Sequence, residues 1–186
     1  MKEHPILFNS EMVRAILDSR KTQTRRVIKP QCEANLMSGY QEWEYEGLLA
    51  RCPFGQIGDR LWVRETWRQP EDFEGYDRGA VLYAVSEMDA GAKWKPSIHM
   101  PRWASRITLE ITDIRVERLQ DITLLNCIKE GIEKKKGSWG IIHFEFNKKQ
   151  SDSPRDLFKD LWNSMNKKHT WDSNHYVWAI EFRRVI

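Results

Sequence analysis

Several absences narrow the field before any motif does. Cysteine is scarce and odd in number, with Cys32, Cys52 and Cys127 far apart. That does not suit a disulfide framework, and a reducing, cytoplasmic setting is the expectation. No run approaches the ~18 apolar residues of a membrane-spanning helix, so no membrane association is expected. At the start, only Ile6-Leu7-Phe8 stand between Pro5 and Asn9, too short for the apolar centre of a signal peptide. There is no G-x-G-x-x-G after a strand, no Walker loop, no H-E-x-x-H, no EF-hand loop and no G-x-S-x-G. There is no C-x-x-C, and His169 and His175 stand six apart, so a structural zinc is not expected. Phosphate-loop hydrolysis and hydride transfer fall away, and no metal or cofactor is anticipated. Internal repeats and low-complexity tracts are missing as well.

What is present is enough for one core. The chain has 186 residues, 40% of them hydrophobic and 31% charged. A monomer of that size buries roughly 70% of the surface its unfolded chain exposes. We read residues 1–186 as a single domain with insertions at about 31–51, 68–95 and 133–152. Two features stand out. Nine tryptophans are present, and tryptophan serves both cores and base stacking. The net charge is only +3, but Arg14, Arg20, Lys21, Arg25, Arg26 and Lys29 crowd one segment that holds one acid, Asp18. Such a cluster attracts phosphates, although a solvated charged face is the commoner outcome for a basic run.

The element order is mixed. Ile6–Phe8 reads as a short buried strand. Asn9 or Ser10 caps a helix through Arg20, with Met12, Val13, Ile16 and Leu17 on one face. Arg60–Trp67 and Ala80–Val85 read as strands. Ser105–Leu119 is the clearest β stretch: Ile107, Leu109 and Ile111 alternate, then Ile114 and Val116 change phase. That predicts a bulge or bend near Asp113, of the kind that curls a sheet. Thr123 caps a short helix that stops at Gly131. Ser153-Pro154-Arg155-Asp156 opens the best-marked helix, with Leu157, Phe158, Leu161, Trp162 and Met165 on its apolar face. A last strand covers Tyr176–Arg184. The expectation is an α+β fold: a small mixed β-barrel flanked by about three helices.

Two places can carry chemistry. Lys21 and Thr24 are three apart at a helix–strand junction. Threonine is a poor nucleophile unless a base takes its proton. A partly desolvated lysine crowded by Arg20, Arg25 and Arg26 can supply one. On spacing alone, a Thr24 bonded to backbone beside a solvated Lys21 is the commoner outcome. Glu65 shares strand parity with Leu61 and Val63, so it projects inward if they do. It can hold the lysine, act as acid and base, or form an ion pair with Arg25 or Arg26.

These residues sit in a recognisable pattern. ILFNSEMVRAILDSRKTQTRRVIKPQ (6–31), CPFGQIGDRLWVRETW (52–67), HMPRWASRITLEITDIRVERLQDI (99–122) and the closing VWAIEFRRV resemble phage- and prophage-borne ASCH-domain proteins of the PUA-like superfamily. The signature G-x-K-x-x-[TE]-x-R is matched at Lys21, Thr24 and Arg26, with Ser19 at the glycine position. The resemblance implies a small bent β-barrel whose pocket takes RNA or a modified nucleoside. In one branch, amidohydrolases that remove acetyl from N4-acetylcytidine, the matching lysine and threonine are catalytic together with a glutamate. Glu65 looks like that glutamate's counterpart. The resemblance thus implies Lys21, Thr24 and Glu65 as catalytic. Arg26 would stabilise the oxyanion or the pocket geometry, and Arg20 would bind substrate or nucleic acid. The alternative is a non-catalytic module for single-stranded nucleic acid, stacking a base on Trp67 or Trp103 while Arg25, Lys29 and Arg102 contact phosphates. A metal-independent ribonuclease is a third reading.

Overall fold

The structure, a computed structural model, describes residues 1–28, 47–69, 80–86, 93–137 and 141–185. It is a mixed α+β fold. Five strands form the main sheet in the order β1 (Glu3–Leu7), β3 (Arg60–Arg64), β6 (Thr108–Arg118), β10 (Tyr176–Arg184) and β2 (Gln23–Val27). β1 and β3 run parallel, and every other neighbouring pair is antiparallel. A short hairpin pairs β4 (Trp67–Arg68) with β5 (Leu82–Tyr83). A three-stranded sheet joins β7 (Glu133–Lys136), β8 (Ile142–Phe146) and β9 (Lys149–Ser151). The α-helices are α1 (Ser10–Leu17), α2 (Leu124–Lys129) and α3 (Pro154–Met165), and residues 47–49 add a helical turn.

The phase change in β6 is where its hydrophobic pattern put it. Glu181 pairs with Asp113 but Phe182 pairs with Ile111, so Thr112 is an extra residue and the ladder bends. The sheet curls but does not close. Among the described residues, no ladder joins edge strands β1 and β2. One side chain crosses that seam, as Arg26 Nη2 of β2 donates to the Leu7 carbonyl of β1 at 2.8 Å.

The two faces of the sheet differ. Ile114, Val116, Trp178 and Ile180 point inward with Leu61, Val63 and Leu109, and α1 closes this core with Met12, Val13 and Ile16. Val177, on the opposite face of β10, packs with Leu157, Phe158 and Trp162 of α3 and Cys127 of α2. β2 lies between these two cores. That is why Gln23, Thr24 and Arg25 are all buried, although a polar strand usually exposes one face.

Each α-helix is capped as its sequence dictates. The Asn9 side chain accepts from the Met12 amide, Thr123 from Asn126 and Ser153 from Asp156. α1 stops at Leu17, three residues short of the expected Arg20. Ser19 turns into the left-handed region at φ 59°, and the chain reverses there.

Candidate functional site

Two helix ends build the site. After α1, the Ser19 amide donates to the Ile16 carbonyl and the Arg20 amide to the Ala15 carbonyl, the paired bonds of a Schellman cap. The turn delivers Lys21, whose amide also reaches Ala15. After α2, Gly131 adopts φ 105°, its amide reaches the Ile128 carbonyl, and that of Ile132 reaches Cys127. A Cβ at Gly131 would meet Ala15 Cβ at 3.1 Å and Lys21 Cβ at 3.4 Å. Glycine therefore satisfies both the backbone and the space, and the two caps approach closely enough to face Lys21 with Glu130.

Lys21 is 2% exposed. Its Nζ donates to Glu130 Oε2 at 2.7 Å, to the Glu130 carbonyl at 2.9 Å and to the Gln23 carbonyl at 2.7 Å. An ammonium has three N–H groups, and all three are used. Glu130 Oε1 accepts from Arg25 Nη1 at 3.0 Å, and Arg25 Nη2 pairs with Glu117. Two cations and two carboxylates thus form one neutral cluster, three of its four members buried. Burial pulls the Lys21 pKa below the ordinary lysine value of 10.5, against the opposing pull of Glu130.

Thr24 is 0% exposed, and its Oγ1 accepts from Arg26 Nη1 at 2.9 Å. Thr24 and Arg26 lie on the inward face of β2, opposite Ile180 and Trp178. The Phe8 ring ties them to the ion cluster. Lys21 Nζ stands 5.7 Å and the Arg26 guanidinium 5.1 Å from its centroid. Lys21 and Arg26 therefore share the Phe8 ring, with Thr24 bonded to Arg26 and Glu130 to Lys21.

Glu65 is elsewhere in the bonding pattern. It is buried at 1% exposure, and both its oxygens accept from Arg106, Nε and Nη2, at 3.0 Å each. Arg106 in turn stacks on Tyr83, 3.9 Å from the ring centroid. The inward projection expected from strand parity holds, but its partner is Arg106 rather than Lys21, Arg25 or Arg26. Glu65 anchors the β4–β5 hairpin to the core.

The remaining expected contact residues divide. Arg25 is buried in the ion cluster and cannot reach a phosphate. Trp67 is buried, so it does not offer a free face for a base. Arg20 bonds the Gly131 carbonyl and pairs with Asp18. Arg102 is exposed and held bidentately by Glu3. Trp103 is 61% exposed. Lys29 lies outside the described residues, as does most of the 31–51 insertion.

Glu130 is the functional candidate that spacing missed. Its signal was the helix stop, since a carboxylate directly before the terminating glycine sits where a second helix end can meet it. Gln23 is a different kind of surprise. It is fully buried, and neither Nε2 nor Oε1 has a hydrogen-bond partner. An unpaired buried amide costs about 1–3 kcal/mol. Gln23→Met should therefore raise the unfolding free energy by about 1 kcal/mol in urea denaturation; an equal loss instead would show that the amide is satisfied in solution.

The Lys21 environment has a pH signature. Its folded-state pKa is lowered from 10.5, so the folded protein releases this proton before the unfolded chain does. In the window below 10.5 the unfolded state binds more protons, and stability rises with pH. Thermal melts from neutral pH towards that value should show the wild type gaining on a Lys21→Met, Glu130→Met double variant. Parallel curves would place Lys21 in a solvated site.

No family model, curated protein or solved structure matches the chain.

Proposed function

We propose that the Lys21, Thr24, Arg26 and Glu130 cluster is a nucleoside site that hydrolyses the N4-acyl amide of an acylated cytidine. The observation that carries the reading is the Thr24 hydroxyl. It is buried and gripped by Arg26, on the same phenylalanine ring as a desolvated lysine that already has a carboxylate 2.7 Å away. The K-x-x-T-x-R resemblance implies Lys21 and Thr24 for this chemistry, with Arg26 matching the signature and Glu65 as the glutamate. Glu130 takes the glutamate's part, because it is the carboxylate on Lys21, and Glu65 serves as a strut.

The chemistry follows from the contacts. Lys21 passes a proton to Glu130 Oε2 and becomes a neutral amine. It then removes the Thr24 proton as Oγ1 attacks the acyl carbonyl, and Arg26 stabilises the developing oxyanion. The carbon–N4 bond breaks, and N4 leaves with the proton that Lys21 took from Thr24. Water, deprotonated by Lys21, attacks the Thr24 ester; the ester C–O bond breaks, Thr24 Oγ1 takes that proton back from Lys21, the carboxylic acid leaves, and Glu130 returns its proton to Lys21.

Incubation with N4-acetylcytidine should release cytidine, followed by chromatography, and Thr24→Ala should abolish most of it. A second reading rests on one observation: every N–H of Lys21 and both oxygens of Glu130 are already bonded, as in a fixed structural unit. If the wild type releases no cytidine yet binds RNA, the cluster is scaffolding for a non-catalytic module. The ribonuclease reading has only the basic run behind it.

A further inference from the structure

The segment between α3 and β10, residues 166–175, carries two histidines that meet outside the Lys21 cluster. His169 Nδ1 and His175 Nε2 stand 3.2 Å apart, with ring centroids at 4.7 Å and planes at 78°. Both residues are half-buried, so solvent reaches them. The backbone around them is pinned on both sides. The Asn166 carbonyl accepts from the His169 amide at 3.1 Å, and the His169 carbonyl accepts from Trp162 Nε1 of α3 at 2.7 Å. The Trp171 amide donates to Asn163 Oδ1 at 2.7 Å. Asn174 enters the left-handed region at φ 43°. Its Oδ1 accepts from the Gln120 amide at 2.9 Å, and its carbonyl from Arg118 Nη1 at 3.1 Å. The His175 carbonyl accepts from the Leu119 amide at 3.0 Å. One histidine is thus fixed to α3 and the other to the chain just past β6. Groups held in place this way need little further ordering when a ligand arrives.

A neutral imidazole has one N–H and one lone pair, so one proton lies between the two facing nitrogens. When that proton shifts to the other nitrogen of its own ring, both facing nitrogens present lone pairs. Two imidazole nitrogens on one tetrahedral Zn²⁺ stand about 3.3–3.4 Å apart, and on a square-planar ion about 2.9 Å. The spacing of 3.2 Å is nearer to the tetrahedral value. Imidazole suits late first-row divalent ions, whereas Mg²⁺ and Ca²⁺ take oxygen donors. Asp172, between the two histidines in sequence, pairs with Lys159, and exposed Lys167 and Lys168 weigh against a hard cation held by charge alone. We infer that His169 and His175 form a two-histidine site for a late first-row divalent cation, with Zn²⁺ the best geometric fit. A closed structural zinc takes four protein donors. Here two donors serve and water completes the shell, so the ion exchanges. Bound between the rings, it clips α3 to the chain past β6, because only the folded protein brings the two nitrogens together.

The test titrates the untagged full-length protein with Zn²⁺ in a calorimeter, with Mg²⁺ as the comparison. Long-range proton–nitrogen NMR spectra follow the histidine ring nitrogens. One Zn²⁺ should bind per chain, and His169 Nδ1 and His175 Nε2 should shift together, while Mg²⁺ moves neither. His169→Gln and His175→Gln should each weaken Zn²⁺ binding at least about tenfold. His99→Gln, in an exposed turn elsewhere, should leave it unchanged. Zn²⁺ should also raise the melting temperature of the wild type but not that of His169→Gln. Circular dichroism checks that the variants fold. Undiminished Zn²⁺ binding in both folded variants, equal binding of Mg²⁺, or no Zn²⁺ binding by the wild type at millimolar metal overturns the inference. The pair is then an ordinary hydrogen bond between two rings. If a histidine variant fails to fold, the wild-type spectra decide, and shifts confined to His4, His99 or His143 overturn the site.

Discussion

Replacing Glu130 with alanine should cost about 3–5 kcal/mol of unfolding free energy, measured by urea denaturation. The size follows from what is left behind. Lys21 and Arg25 are both buried, and each donates to this one carboxylate. Without it two positive charges share a low-dielectric space, with Glu117 bonded to Arg25 alone. An exposed ion pair would cost under ~1 kcal/mol, so the measured loss reports burial directly. Glu130→Gln should lose less, because the amide oxygen still accepts one bond. A Lys21→Met, Glu130→Met pair should recover much of the alanine loss, since it removes a buried cation with the anion that served it. A loss below ~1 kcal/mol for Glu130→Ala would mean that the cluster is solvated and the two helix ends are not locked together.

The largest kinetic effects should fall on Thr24 and Lys21. Thr24→Ala removes the attacking oxygen but leaves the ion cluster intact, so it should cut cytidine release at least about a hundredfold, with about 0.5–1.5 kcal/mol of stability lost with the bond to Arg26. Lys21→Arg separates charge from basicity. Arginine keeps the positive charge beside Glu130, yet it cannot give up its proton near neutral pH, so the base is lost while the pair persists. A rate loss on the order of a hundredfold is expected there too. Glu65→Gln is the control that decides between the two carboxylates. It leaves Lys21 and Thr24 untouched and should alter release far less than Glu130→Gln does. If release survives Thr24→Ala, water activated by Lys21 is the nucleophile and the covalent route is wrong. If Glu65→Gln is the slower of the two glutamine variants, the lysine's working partner is not the one bonded to it here.

How much of this the chain disclosed depended on how local the cause was. α3 was legible to the residue, because Ser153, Pro154 and Asp156 act within one turn. The bend in β6 was legible because Ile111 and Ile114 break a period-2 pattern by themselves. The fates of Arg25 and Trp67 were not. Nothing near Arg25 in sequence says that α2 will bring a carboxylate from residue 130, more than a hundred positions away. Gln23, Thr24 and Arg25 stood at a helix–strand junction, and only two cores, one on each face of β2, bury them together. Glu65 gave its direction through parity but not its partner, since Arg106 lies on a separate segment. Closure of the barrel was the other overreach. Curl follows from a bulge, whereas closing a sheet requires its two edge strands to meet in register, and among the described residues Arg26 alone bridges them.

The paired turns at Ser19 and Gly131 bear on how such a chain can vary. The residues that meet at the site are set by hydrogen bonds inside their own helix ends, not by the segments that follow them. The small sheet of β7 to β9 begins directly after Ile132, downstream of a turn already closed. That sheet is tied to the core through Phe144, which packs with Ile132, Leu157 and Phe158, but its exposed positions can vary while Glu130 keeps its place against Lys21. The hard constraint lies at one position, where any side chain larger than hydrogen would push Ala15 and Lys21 away. Ser19 tolerates its left-handed turn at a small energetic cost, so the two caps are unequal in evolutionary freedom: one can drift, and the other is fixed.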